Sequence, residues 1–288
     1  MIKFIKSSTL FVLLLSIYLL SNIAVNNYLN SLKLKSDNSE IVAIGDSHIM
    51  TGVNPSLTQN MKNYAQSSEP YLASYLKIDK LVSDNPEISV VLLGFGYHNL
   101  SSYYDDKLVT NESSVIFDNN IQLLSLENLS NFNYDFKRFV DSYLANQCIY
   151  PRFKRLYLGG YKETNSKLSE ADFPKTIAKH FYRDTTVREF SDSFNIFYLR
   201  KIADLCLKKN VKLVLVKTPT SLAYEQGVPN KYKKKYLSVS ETMKKRGVET
   251  FNTTKAASEF YFKDYSHLSR EGACIFTPLL LRYIESNK

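Results

Sequence analysis

The chain has 288 residues, 44% hydrophobic and 23% charged, with a formal net charge of +9. That is room for one domain of about 200–250 residues plus an appendage, and it is too apolar for a disordered chain. The 37 lysines and arginines are scattered, so the basic stripe that nucleic acid requires is missing and no nucleic-acid partner is expected; a basic surface instead suits an anionic envelope.

Lys3 and Lys6 precede an apolar run from Leu10 to about Val25, interrupted by Ser16, Ser21 and Asn22. The run is longer than many signal-peptide cores, a little short of an ideal span of about 20 residues, and lacks a small-x-small cleavage site. Residues 1–29 are therefore read as a signal anchor of a single-pass protein, with a cleaved signal peptide and a buried soluble helix as alternatives. The leading lysines favour a cytoplasmic N-terminus, although Lys33 and Lys35 pull the other way. Residues 30–39 (NSLKLKSDNS) read as a linker. Residues 40–288 form the main domain, outside the plasma membrane on the periplasmic or extracellular side.

EIVAIG, at 40–45, is a short apolar run stopped by glycine, as in a buried parallel strand. EPYLASYLKIDKLVSDN, from Glu69, has helical periodicity with a proline at its start. ISVVLLGFG, at 88–96, is a second buried strand. Between about 100 and 185 the pattern loosens into Tyr-, Phe- and Asn-rich stretches with short helical pieces such as NYDFKRFVDSYLANQ, read as an insertion or lid. Order returns with EFSDSFNIFYLRKIADLCLKKN, an amphipathic helix, and VKLVLVKTP at 211–219, a third strand ended by Pro219. A lysine-rich helix from Lys231 to Arg246, a short strand VETFN at 248–252 and a closing helix capped by Ser269 complete the chain. Strands alternating with helices predict an α/β three-layer sandwich around a parallel sheet. Cys148, Cys206 and Cys274 cannot all pair and lack CxxC spacing, so they read as core residues. The four histidines form no HxH or HExxH pattern, and neither a metal nor a cofactor is expected.

The chemistry-bearing stretch is IVAIGDSHIM, which ends a strand on Ser47. Reactive groups in open α/β sheets collect at the carboxyl ends of strands. A serine is a weak nucleophile without a base. After the last short strand comes YFKDYSHLSREG, with Asp264 and His267 three residues apart. On a loop, that spacing lets the aspartate hold the Nδ1 proton of the histidine, leaving Nε2 for a serine.

IGDSH resembles the first sequence block of the SGNH (GDSL-like) hydrolase superfamily, and DYSHLSREG resembles its last, Asp-x-x-His before a final helix. The resemblance covers about residues 40–100 and 205–285. It implies the SGNH/flavodoxin-like fold, with Ser47 as nucleophile, His267 as base and Asp264 as its orienter. The stretch from Gly45 to Leu81 is also similar to membrane-anchored members that acetylate or alanylate cell-envelope polymers. This implies a polysaccharide acceptor and, as acyl donor, a polytopic membrane-bound O-acyltransferase partner. Two blocks depart from the pattern. The second lacks its glycine in NYAQSSEP, so an oxyanion donor must come from the backbone near Ala65–Ser67 or from Gln66. The third reads GYHN, with Gly96 and Asn99 one residue further apart than usual, so Asn99 or His98 could face the oxyanion. The Ser47 N–H is the remaining donor. The lipase-type elbow is excluded, because Ile49 stands where it needs glycine.

Asp46 reads as a helix cap, His48 as a substrate contact or a helix-start residue, and His180 as structural or exposed. Tyrosines and phenylalanines around 97–104 and 150–161 could stack on sugars or pack a core. Three functions stay open: an O-acetyltransferase, an esterase with the same triad, and a non-catalytic polysaccharide-binding protein on a degenerate scaffold.

Overall fold

Runs of Ile, Val and Leu become strands where both faces of the chain can be covered. The computed structural model describes residues 2–33, 36, 38–109, 120, 123, 136–149, 158–165, 173–253 and 255–287; the possible stacking surface at 150–157 lies outside them. Contacts divide the chain into two units, Met1–Lys33 with Lys107–Tyr157, and Leu34–Asp106 with Leu158–Lys288.

The first unit contains helix α1 (Ile2–Ser31). Its stretch Lys3–Leu29 has a mean hydropathy of 2.0 and is long and apolar enough to cross a membrane. The same unit holds a short helix, Phe136–Tyr143, running into a π-helical turn, Leu144–Ile149.

The second unit carries the sheet. Its strands are β1 (Ile41–Ile44), β2 (Met61–Asn63), β3 (Val90–Gly94), β6 (Lys212–Lys217) and β7 (Glu249–Asn252), while β4 (Tyr182–Arg183) and β5 (Thr186–Val187) form a separate hairpin. The sheet order is β2-β1-β3-β6-β7 and every pair is parallel. Ile41 pairs with Val90, and Gly94 with Val216. This is the flavodoxin-like order, whose switch point lies between β1 and β3. The predicted strands at 40–45, 88–96, 211–219 and 248–252 all form. The edge strand β2 is new: Met-Lys-Asn has no apolar run, and only pairing with β1 makes it a strand.

Side chains alternate across the sheet. Ile41, Ala43, Val90, Leu92, Val214 and Val216 share one core with Phe276, Leu280 and Ile284 of the closing helix, Arg270–Ser286. By alternation, Val42, Ile44, Val91, Leu93, Leu213 and Leu215 face the other side, and all are buried. The helices Tyr71–Asp84 and Asn195–Lys208 pack together, and the second also packs on β6. The latter starts later than the amphipathic pattern, because Phe190 bridges to Ser101 before the helix begins. Ser269 caps the closing helix as predicted, accepting from Gly272 N at 3.3 Å.

Two stretches of the middle third belong to this unit. Residues 158–165 bind beside the chain that follows β2, beside Met50 and beside the closing helix: Gly160 N donates to Ala65 O (3.0 Å), Lys162 N to Met50 O (2.9 Å), and Arg270 N to Thr164 O (2.8 Å). Residues 173–191 contribute helix Phe173–Phe181 and the hairpin.

Gly272 lets the chain before the closing helix lie against its first turn, since a Cβ there would sit 2.1 Å from Tyr261 O. Gly272→Ala is expected to push the 261–269 loop outward and to cost about 1–3 kcal/mol, the usual penalty of overpacking. A urea titration checks the stability, and a wild-type midpoint would show that the loop yields freely.

Candidate active site

The nucleophile turn depends on a close approach of two strand ends. Gly45 follows β1 at φ +140°, and a Cβ on it would lie 3.1 Å from Gly94 N at the end of β3. Gly94 in turn makes room for Ile49, whose Cγ1 would be 2.6 Å from a Cβ at that position. The chain can therefore leave β1, turn through Asp46 and enter the six-residue helix Ser47–Gly52 with Ser47 first. At that position the Ser47 N–H has no acceptor within the helix.

The Asp264–His267 loop closes on itself before the final helix. Lys263 N donates to His267 O at 2.9 Å, and Ser269 N donates to Tyr261 O at 3.0 Å. The sequence separation between Ser47 and His267 disappears in the fold: Ser47 Oγ lies 2.8 Å from His267 Nε2. His267 Nδ1 lies 2.9 Å from both oxygens of Asp264. Asp264 Oδ1 also accepts from the backbone N–H of Ser266 (2.9 Å) and of His267 (3.0 Å). These contacts suit the tautomer protonated on Nδ1, with Nε2 accepting from the serine hydroxyl. Burial works to raise the Asp264 pKa, but the His267 hydrogen bond and charge, with the two backbone donors, hold it well below the usual carboxylate range.

Asp46 does more than cap. Its Oδ1 accepts from His48 N at 2.9 Å. Its Oδ2 accepts from Tyr104 Oη (2.7 Å) and Asn99 Nδ2 (2.8 Å), and pairs with His98 Nε2 (2.7 Å). Burial opposes ionisation of this carboxyl, but the charge and hydrogen bond of His98, helped by His48 and Tyr104, keep its pKa well below normal.

These bonds already engage the groups expected near the oxyanion. The Asn99 amide and His98 are held by Asp46, and the Gly96 N–H is donated to Asn99 Oδ1 at 2.7 Å. Near the second block, Ala65 N donates to Asn63 Oδ1 and Gln66 N to Gly45 O, while the Gln66 side chain is buried. The extra residue in GYHN, within the turn Tyr97–Leu100, carries His98 and Asn99 inward to Asp46.

All four histidines of the chain meet here. His48 lies between His267, centroids 4.6 Å apart, and His98, at 4.0 Å and nearly parallel. His180 continues the column, 5.1 Å from His98, with its Nδ1 2.8 Å from Tyr224 Oη. Burial first, then the charges of His98 and His267, push the His48 pKa well below its ordinary value, so this ring is neutral near pH 7. Faces rather than lone pairs converge, and among the described residues no three His, Cys, Asp or Glu are placed to hold a metal. In the sequence His180 reads as structural or exposed and Tyr104 as one of several stacking or core aromatics, because each reaches the site from a helix outside the recognised blocks. Beyond Thr218 a cleft of about 190 Å³ opens at the ends of β6 and β7, lined by Lys217, Thr220, Glu225, Asn252, Thr253 and Lys255 among others.

The depressed Asp264 and Asp46 carboxyls set a pH dependence of stability. A carboxyl with a lowered folded pKa adds stability above its unfolded value of about 4, and that stability is lost as the pH falls. Urea midpoints should therefore drop between about pH 5 and pH 3, and drop less in Asp264→Asn, which cannot titrate there. Identical pH slopes for the two proteins would show that Asp264 carries no such linkage.

One family model matches residues 175–288, less than half of the chain. No curated protein matches. Among solved structures, the chain is similar to a GDSL-like lipase from Bacteroides thetaiotaomicron, at 12% identity and TM-score 0.39, covering 95% of this chain and 98% of that one. It is also similar to a protein assigned as an acylhydrolase from Bacteroides fragilis, at 10% identity and TM-score 0.38, covering 94% and 95%. At these identities and scores the neighbours decide neither substrate nor chemistry, which have to be read from the residues around Ser47.

Proposed function

We propose that the chain is an SGNH-type serine enzyme that moves an acyl group, most simply acetyl, onto a cell-envelope or exported polysaccharide. α1 anchors it in the plasma membrane with the catalytic unit on the periplasmic or extracellular side. The observation that carries the acyl chemistry is the 2.8 Å contact from Ser47 Oγ to His267 Nε2, with Asp264 behind the imidazole. It favours an enzyme over a non-catalytic scaffold, which has no use for this alignment.

In the first half-reaction Ser47 Oγ attacks the acyl carbonyl carbon while His267 Nε2 takes its proton. The new C–O bond makes a tetrahedral oxyanion, and the Ser47 N–H is the donor the turn leaves for it. Collapse breaks the bond to the leaving group, which takes the proton from His267, and an acyl-serine remains. In the second half-reaction a hydroxyl gives its proton to His267 and attacks the acyl-serine, and Ser47 Oγ recovers that proton on release. Asp264 stays ionised throughout and stabilises the imidazolium.

With a sugar hydroxyl as second nucleophile the enzyme is a transferase; with water it is an esterase. The hydroxyl, amide and charged side chains of the cleft beyond Thr218 and the apolar α1 support a hydroxyl-rich acceptor at the membrane. The donor side then calls for a polytopic membrane-bound O-acyltransferase as partner.

The test is p-nitrophenyl acetate with the detergent-solubilised full chain, with and without acceptor oligosaccharides, read by intact mass and by product. An acetyl adduct and acceptor-dependent turnover are expected. Turnover indifferent to acceptor makes the protein an esterase. A folded protein with neither adduct nor turnover returns the reading to a polysaccharide-binding scaffold.

A further inference from the structure

α1 carries a polar stripe that an inert anchor does not need. Tyr18, Asn22 and Asn26 recur every four residues and so share one face of the helix. Each donates to a main-chain carbonyl of the π-helical turn Leu144–Ile149. Tyr18 Oη reaches Ile149 O at 2.6 Å, Asn22 Nδ2 reaches Cys148 O at 2.9 Å, and Asn26 Nδ2 reaches Gln147 O at 3.0 Å. Successive carbonyls thus meet successive donors, running antiparallel. They are end-of-helix carbonyls, which have no N–H partner within their own helix. Water would satisfy them on a soluble surface, whereas a bilayer would not.

The stripe sits at a defined depth. From Lys6 the helix rises about 24 Å to Asn22 and 30 Å to Asn26, at 1.5 Å per residue. That is the thickness of a hydrocarbon core, about 30 Å. With the two N-terminal lysines in one headgroup layer, Asn26 falls at the opposite one, while Asn22 and Tyr18, about 18 Å from Lys6, lie within the outer leaflet. The docked segment is itself amphipathic. Lys137 and Asp141 pair on its exposed side at 2.8 Å. Tyr143, Leu144 and Ile149 are each more than 40% exposed, and aromatic and aliphatic side chains of this kind suit the headgroup boundary.

We propose that Phe136–Ile149 is a membrane-surface foot, docked on the outer half of a retained α1 by the Tyr18–Asn22–Asn26 ladder, with Tyr143 and Leu144 resting in the headgroup layer of the same bilayer and Ile149 reaching into the outer leaflet beside Tyr18. α1 is then a structural member of the mature protein, since its removal would strand the carbonyls of residues 147–149. The proposal rests on α1 being a membrane span, and the experiment separates the two.

The full chain is prepared in membranes and washed with carbonate, which tests the span alone. Asn22→Cys is then crosslinked to the native thiol of Cys148 with a short bis-maleimide, with Leu20→Cys, on the opposite face, as control. Crosslinked peptides are read by mass. Crosslinking on the order of tenfold faster than in the control is expected, because only the docked pair is held at high effective concentration. The chain has no tryptophan, so Leu144→Trp supplies a single fluorophore; quenching by acyl-brominated lipids is expected. A carbonate-resistant protein without the crosslink, or whose N-terminal residues are missing, overturns the docking and leaves insertion intact. A crosslinked protein whose L144W emission is unquenched overturns the foot. A protein stripped by carbonate overturns the span and the proposal with it.

Discussion

Ser47→Ala is expected to lower p-nitrophenyl acetate turnover by roughly 10⁴- to 10⁶-fold, as loss of the nucleophile does in serine enzymes, and to abolish the acyl adduct. The fold should survive. Ser47 is half-buried at the first position of a short helix, and its Oγ makes its one described partner with His267. Removing that oxygen leaves Asp46 as the cap and the glycine contact between β1 and β3 untouched. Melting temperature and circular dichroism should therefore match wild type. His267→Gln should lose activity to a similar degree, and the double variant little more, because members of a triad act as a unit. Near-additive losses would mean that Ser47 and His267 do not work together, whatever their distance. Residual wild-type turnover in S47A would assign the chemistry to another group.

Asp46→Asn is expected to have the largest effect on stability, about 3–5 kcal/mol, the range for removing one partner from a buried charged cluster. The carboxylate is 2% exposed and takes hydrogen bonds from His48 N and Tyr104 Oη, from the Asn99 amide and from His98. An asparagine can keep one oxygen on His48 N, but its NH₂ then confronts a cluster of donors, and a buried donor without an acceptor is costly. The turn that presents Ser47 and the loop that holds His98 lose their common anchor. Activity should fall by at least about 10²-fold, the effect of misplacing reacting groups by an ångström or so. Chemical denaturation and steady-state kinetics of the same preparation check both effects. A stable, active D46N would show that His98, Asn99 and Tyr104 find other partners and that Asp46 is only a cap.

Much of the site was legible because it is local. Gly-Asp-Ser after a strand and Asp-x-x-His before a helix are short patterns whose chemistry depends on few neighbours. The three central strands, β1, β3 and β6, were legible for a related reason: a strand covered on both faces must be largely apolar, and such runs stand out. β2 did not, because a three-residue edge strand takes its identity from pairing with β1. Gly272 could be seen as the start of a helix, but not as the place where Tyr261 O touches it.

The sequence by itself determined the candidate triad, four of the five sheet strands, and an N-terminal helix apolar enough for a membrane. Only the tertiary structure decided what surrounds Ser47. The convergence of His48, His98, Asn99, Tyr104 and His180 on the nucleophile turn, and of Asn22 and Asn26 on the 147–149 carbonyls, depends on contacts between residues up to 132 positions apart. Such contacts follow from strand order, glycine clearance and the demand that buried polar groups find partners, and no local periodicity records them.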